Sequence, residues 1–102
     1  MKLMTKQLKA RFKKIGDQKD EHDPIVVAKF FNPTGAGTWY ATAYYPEERM
    51  FYGYTSIFGD WNVEWGYFSL DELESIRGDF GLGIERDRYF KEQPSSRAII
   101  KY

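Results

Sequence analysis

Four aromatic and β-branched runs, separated by short turn segments, constrain the fold of this chain more than any other feature. The runs are IVVAKFF (25–31), TWYATAYY (38–45), MFYGYTSIF (50–58) and NVEWGYF (62–68). Between them lie NPTGAG, PEER and Gly59-Asp60, in which Pro, Gly, Asn and Asp favour turns. Such short connections join antiparallel strands, because a parallel pair needs a long crossover. The sequence therefore predicts an antiparallel meander over residues 24–68.

The aromatic content allows aromatic side chains on both faces of the predicted sheet. The first run is β-branched and aromatic throughout, which predicts a strand buried on both faces. Strict alternation in the second run predicts one face with Trp39, Ala41, Ala43 and Tyr45, and an opposite face with Tyr40, Thr42 and Tyr44. Aromatic residues make up 19% of the chain, more than one sheet face needs. The surplus allows an exposed surface that binds protein or stacks single-stranded bases, although most of these rings also fit a core.

Two helices are predicted beside the meander. Thr5 fits the N-cap of a basic helix from about Lys6 to Ile15, and Gly16 fits its end. Ser69 and Glu72 form a capping box at the start of a second helix, and Gly78 fits its end.

We predict a single α+β domain over residues 1–102, with two helices packed on one face of an antiparallel sheet of four to five strands. Its parts are a basic N-terminal helix (1–16), the meander (24–68), a capped helix (69–78) and a loop with a C-terminal edge segment (79–102). RAIIKY, at the end of the chain, is a candidate fifth strand at the sheet edge.

Composition argues against several functions. The chain has 15 basic and 15 acidic side chains, so its net charge gives no reason to expect nucleic acid or an anionic membrane as partner. It has no cysteine, which excludes thiolate chemistry, and His22 is its one histidine, too few for the usual zinc site. We therefore expect a non-enzymatic cytoplasmic protein without a cofactor, present as a monomer or a homodimer.

Several stretches resemble one family. DPIVVAKFFNP, TWYATAY, FYGY and GYFSLDELESIRG, followed by GLGIERDRYF, are similar to the domain of unknown function 2958. The resemblance runs from KLMTK to about Phe90, and the family tends to have proline where this chain has Asp79 and Gly83. Members are small proteins of bacterial plasmids, phages and integrated elements. The resemblance implies that genetic context and brings no catalytic residue.

Charge is divided unevenly along the chain. Residues 1–14 carry six basic side chains and no acid, whereas residues 47–87 carry ten acids against three arginines, a net charge of −7. Such charge runs usually mark solvated faces, but they can also steer a partner.

Three functions follow as hypotheses. The first is a protein-binding module of a mobile element, which could inhibit a host nuclease, restriction or CRISPR enzyme through an acidic and aromatic surface. The second is a nucleic-acid-binding accessory protein that uses its basic helix. The third is a carboxylate-based hydrolase. Candidate protein-binding residues are Glu47, Glu48, Asp71 and Glu74, and candidate nucleic-acid-binding residues are Lys6, Lys9 and Lys13.

Glu85, Arg86 and Asp87 form the sharpest polar run. We interpret it as a brace, in which Arg86 ties the loop to the sheet by bidentate bonds. In the alternative, Glu85 and Asp87 form a metal site or an acid–base pair with Asp60 or Glu64.

Overall fold

A five-stranded antiparallel sheet forms the centre of the fold, in a computed structural model that describes residues 2–57 and 63–99. The strands are β1 (Ile25–Val26), β2 (Ala28–Phe31), β3 (Thr38–Tyr45), β4 (Met50–Ser56), β5 (Val63–Ser69), β6 (Glu85–Arg86) and β7 (Gln93–Pro94). The main sheet has the order β5-β4-β3-β2-β6, while β1 and β7 pair in a separate small sheet. The predicted α+β class with an antiparallel sheet is confirmed.

Three helices accompany the sheet in the described residues: α1 (Lys6–Ile15), α2 (Leu70–Ser75) and α3 (Ser95–Ala98). The two predicted N-caps are confirmed, because Thr5 and Ser69 each accept a backbone N–H bond at 3.1 Å, from Leu8 and Glu72. None of these helices is long and apolar enough to cross a membrane.

The core lies on the face of the sheet that carries Phe51, which we call the core face. The ring of Phe51 is fully buried and lies 4.9–5.8 Å, centroid to centroid, from four other rings. These rings belong to Phe12, Phe30, Tyr44 and Phe68. Leu70 and Leu73 of α2 join the same cluster. We call the opposite face of the sheet, which carries Tyr52, the outer face.

A β-bulge at Thr42 overturns the alternation predicted for β3. The register with β4 shifts between Ala41 and Ala43, so that Thr42 is the extra residue. An extra residue reverses the facing of every side chain after it. Tyr44 therefore lies on the core face against Phe12, and Tyr45 lies on the outer face against Tyr67.

The predicted strand over 25–31 is broken at Val27. Pairing of β2 with β3 ends at Ala28 and Ala41, directly beside the bulge, and Ile25–Val26 pairs with Gln93–Pro94 instead. The predicted strand is therefore two short ones, in different sheets.

Two predictions for later segments are wrong in their described parts. The second helix ends at Ser75 rather than near Gly78, because Ile76 is already extended and Arg77 bridges to Gly83. The fifth strand is β6, not RAIIKY, since Arg97 and Ala98 belong to α3. Residues 100–102 lie outside the described residues.

Candidate interaction surface

Four aromatic side chains lie side by side on the outer face, and we call this row and the groove above it the aromatic cleft. The ring of Tyr67 lies 6.0 Å from that of Tyr45 and 5.0 Å from that of Tyr52, and Tyr52 stacks on Trp65 at 6.2 Å. They come from β3, β4 and β5, and they share a face because the bulge turns Tyr45 outward. Trp65 is 43% exposed and Tyr67 is 64% exposed. The row therefore presents a continuous aromatic surface to solvent.

Two further tyrosines extend the row toward β2. Tyr54 packs edge-on against Trp65 at 5.4 Å and meets Tyr40 at 6.2 Å. The ammonium group of Lys29 lies 5.6 Å from the centre of the Tyr40 ring. Tyr54 is buried, and burial raises the pKa of its phenol. The extension is thus covered by other parts of the chain, whereas Trp65 and Tyr67 are open.

Residues 17–24, which connect α1 to β1, form one wall of the cleft. Gln18 fixes them to the sheet: its side-chain amide donates to the carbonyls of Ile25 at 2.9 Å and Thr42 at 2.7 Å, and its oxygen accepts from the Ile25 N–H at 2.7 Å. The carbonyl of Thr42 belongs to the bulge, where ladder pairing is interrupted. The Gln18 side chain therefore supplies a hydrogen bond to the bulge carbonyl and also fixes residues 17–24 to the sheet.

The C-terminal segment forms a second wall. Asp23 accepts from the N–H of Ser96 at 2.9 Å and from its hydroxyl at 2.6 Å, and Ser95 donates its N–H to the carbonyl of Pro24 at 2.9 Å. The hydrogen bonds from Ser96 hold the pKa of the Asp23 carboxyl below its ordinary value. These bonds join α3 to residues 17–24, so that the two walls are connected to each other.

The two walls divide the outer face into adjoining clefts of about 470 and 540 Å³. His22, Pro24 and Trp65 line both of them. The first cleft has Tyr45, Tyr52 and Tyr67 as its remaining aromatic lining. Together these clefts combine aromatic rings with polar side chains, and their size would admit a side chain or a short extended segment.

The first cleft has acidic groups at its rim. Asp17 and Glu21 line it, with Lys19 between them in sequence and its ammonium group 3.9 Å from the Asp17 carboxylate. Burial raises the pKa of the Tyr45 phenol, and nearby Tyr67 and Asp17 raise it further. Tyr45 therefore stays protonated at neutral pH and keeps an O–H group that can donate to a ligand.

None of the four acids predicted to bind protein lines either of these two clefts. Asp71 and Glu74 are on α2, which packs on the core face, and both bind Arg49, at 2.8 and 3.0 Å. Hydrogen bonding to Asp71 raises the pKa of the Arg49 guanidinium. Glu47 and Glu48 are exposed in the turn just before Arg49. The arginine thus offsets part of the negative charge of this group.

The three lysines predicted to bind nucleic acid share one side of α1. Lys6, Lys9 and Lys13 are all exposed, and their spacing of three and four residues places them in one stripe along the helix. No ion pair involving them is found within residues 2–57 and 63–99.

The run from Glu85 to Asp87 lies at one edge of the sheet. Glu85 and Arg86 form β6, which pairs with Phe31 and Phe30 of β2. Asp87 donates its N–H to the carbonyl of Lys29 at 2.9 Å, and its carboxylate lies 4.0 Å from the Lys29 ammonium group. The run therefore joins the loop after α2 to the sheet, through the pairing of β6 with β2 and the contact of Asp87 with Lys29.

Of the carboxylate pairs predicted for a hydrolase, those with Glu64 are not brought together. Glu64 lies on β5, at the opposite edge of the sheet from β6, which is four strand spacings or roughly 19 Å away. Glu85 instead lines a cleft of about 440 Å³ with Glu74, the acid that binds Arg49. Asp60 lies outside the described residues. Among the residues that the structure describes, no group of three or more His, Cys, Asp or Glu could hold a metal ion.

The sequence missed both walls of the aromatic cleft. The row itself was suggested by the surplus of aromatic residues, but the facing of Tyr45 depended on the bulge. Nothing in DQKDEHD indicates that the Gln18 side chain reaches across to Thr42, because its partner there is a backbone carbonyl 24 residues away in the sequence. The C-terminal wall was equally hidden, since Ser95 and Ser96 carry no periodic signal.

These elements define a small α+β protein with a core on one face of an antiparallel sheet and an aromatic cleft on the other. A family model described as Protein of unknown function (DUF2958) matches residues 2–101, nearly the whole chain. The protein belongs to this family, which confirms the resemblance seen in the sequence. No curated protein and no solved structure matches the chain.

Proposed function

We propose that this protein is a non-enzymatic protein-binding module that contacts its partner through the aromatic cleft. The observation that carries this proposal is the exposure of Trp65 and Tyr67 within a packed row of rings. Tyr and Trp supply much of the binding energy at protein interfaces, because they bury a large area at low entropic cost. Their neighbours fix them in place, so little ordering is needed on binding.

The charge of the cleft favours a protein segment over single-stranded nucleic acid. Surfaces that stack bases combine aromatic rings with Lys and Arg along the phosphate path. Here Asp17 and Glu21 line the rim, and Lys19 lies close to Asp17. Aromatic faces next to carboxylates suit a cationic side chain, which gains both ring and ion-pair contacts. The favoured partner is thus an extended segment that carries Lys or Arg.

The biological setting remains a prediction. Inhibition of a host nuclease, restriction or CRISPR enzyme is compatible with a protein-binding module, and origin on a mobile element is implied by the family resemblance. Both rest on context rather than on a contact of the described residues. A cytoplasmic location is a prediction of the same kind.

Removing the open aromatics is expected to weaken partner binding at least about 30-fold, the effect of losing one interface hot spot. The variant is Trp65→Ala with Tyr67→Ala. Tagged wild type is first used to capture a partner from nuclease-treated bacterial lysate. The purified pair is then measured by calorimetry, with circular dichroism to verify the fold.

Tyr89→Ala is the matched control, because Tyr89 is 89% exposed and lies in the loop after β6. It should change the affinity less than threefold. Lys substitutions at Glu47 and Glu48 serve as the second comparison and test the acidic group. If the cleft variant binds as wild type does, or if only the acidic variant loses binding, the proposal is wrong. Failure to capture any protein in stoichiometric amount also counts against it.

A second candidate function, nucleic-acid binding by α1, is favoured by the exposed stripe of Lys6, Lys9 and Lys13. If the stripe contacts phosphates, binding weakens with salt along a negative slope of log K against log salt concentration. Glutamine at all three positions should reduce the magnitude of this slope by roughly two to three. Fluorescence anisotropy with a labelled duplex measures this slope. Glutamine at Lys19, Arg88 and Lys91 removes the same charge elsewhere and should leave the slope nearly unchanged. Equal slopes for the two triple variants would exclude a specific role for α1.

A further inference from the structure

β5 is an edge strand without the usual protection against pairing. It is one edge of the main sheet, and all seven of its residues pair with β4 without a bulge. The other edge, β6, has two residues. Exposed edges are normally blocked by Lys, Pro, a bulge or short length. VEWGYFS has seven residues, no Lys, no Pro and no bulge, and Glu64 is its one charged residue; within residues 2–57 and 63–99 its only strand partner is β4.

We propose that the edge of β5 pairs antiparallel with β5 of a second copy of this chain, which joins the two main sheets into one. A two-fold axis perpendicular to the sheet keeps the outer faces of both copies on the same side. The register centred on Gly66 is the one that pairs all seven residues of β5. Any other register leaves residues of the strand without a partner.

This register is self-complementary in its side chains. Trp65 lies opposite Tyr67 of the second copy, and the symmetry repeats the pair, which gives two cross-strand aromatic contacts on the outer face. Glu64 lies opposite Phe68 of the second copy, so the two carboxylates do not face each other. Gly66 meets itself at the axis, where no side chain crowds the strands.

The dimer would join the aromatic clefts of the two copies into one surface across the axis. The inference does not depend on the proposed function, since it rests on the edge of β5 and not on a captured partner.

Engineered disulfides test the register, because the chain contains no cysteine of its own. In directly opposed antiparallel pairs the Cα atoms lie about 4.5–5.5 Å apart, within the range a disulfide spans. A Cβ at residue 66 meets no described atom within 4 Å, so Gly66→Cys should fold. In the Glu64→Cys variant, Cys at position 64 of one copy lies opposite residue 68 of the second copy. The two introduced cysteines are then four residues, or roughly 14 Å, apart along the strands and cannot form a disulfide.

Under mild oxidation with oxidised glutathione, G66C is expected to form at least tenfold more covalent dimer than E64C on a non-reducing gel. Wild-type protein should sediment with twice the chain mass of 12.1 kDa. Equal crosslinking of the two variants, or none in either, would overturn the proposed register. A wild-type mass of one chain at all concentrations would overturn the dimer.

Discussion

Replacing Gly53 by alanine is expected to lower the free energy of unfolding by about 4 kcal/mol, at the upper end of what single substitutions cost. A Cβ at this position would overlap the carbonyl oxygen of Tyr40 and lie 3.0 Å from the Cα atom of Ala41. These are backbone atoms of the neighbouring strand, so no side-chain rotation relieves the overlap. Either β3 and β4 separate or the bulge at Thr42 is lost.

Gly66→Ala is the matched control for this prediction. Gly66 lies directly opposite Gly53 in the pairing of β4 with β5, but a Cβ there meets no described atom within 4 Å. Its free energy of unfolding should change by about 0.5 kcal/mol or less. Urea denaturation followed by tryptophan fluorescence measures both variants. Similar losses in the two would mean that the cost comes from glycine in a strand generally, and not from the close approach at the bulge.

The elements that the sequence predicted are those with local causes. The meander follows from aromatic runs and short turns, and the helix starts follow from Thr5 and Ser69, whose hydroxyls bind N–H groups three residues away. In such cases the interacting groups are neighbours in the chain. A single sequence therefore contains the whole cause.

The bulge and the cleft walls have causes that are distant in the chain. The bulge at Thr42 depends on Gly53, which pairs with the preceding Ala41, and on Gln18, whose side-chain amide donates a hydrogen bond to the Thr42 carbonyl. Alternation alone cannot reveal either partner, so the facing of Tyr44 and Tyr45 was wrong after that point. The same holds for α3, whose position depends on Asp23, more than 70 residues earlier.

Charge shows the same limit at the candidate site. Counting acids predicted a negative surface, but Arg49 lies between Asp71 and Glu74 and binds both. The arginine was visible in the sequence, whereas its contacts across 22 and 25 residues were not. The aromatic surplus was a better guide, because rings beyond the capacity of one face must lie on the other.

Phe51→Ala is expected to lower the free energy of unfolding by about 4 kcal/mol, since the removal of a buried phenylalanine leaves a large cavity. Phe51 is 0% exposed and its ring contacts four other rings, including Phe12 of α1 and Phe68 of β5. The loss of the Phe51 ring should loosen the packing of Phe12 and Phe68 on the core face. Thermal unfolding measured by circular dichroism tests this expectation.

The neighbouring substitution Tyr52→Ala separates the core from the binding surface. Tyr52 is the next residue on β4 but lies on the outer face, half-buried between Trp65 and Tyr67. Its removal should cost only about 1 to 2 kcal/mol of stability, while partner binding through the aromatic cleft weakens. If Tyr52→Ala instead destabilises the fold as much as Phe51→Ala, the outer rings are a second core rather than a binding surface. Comparison of Phe51→Ala with Tyr52→Ala thus distinguishes an outer face that stabilises the fold from one that binds a partner.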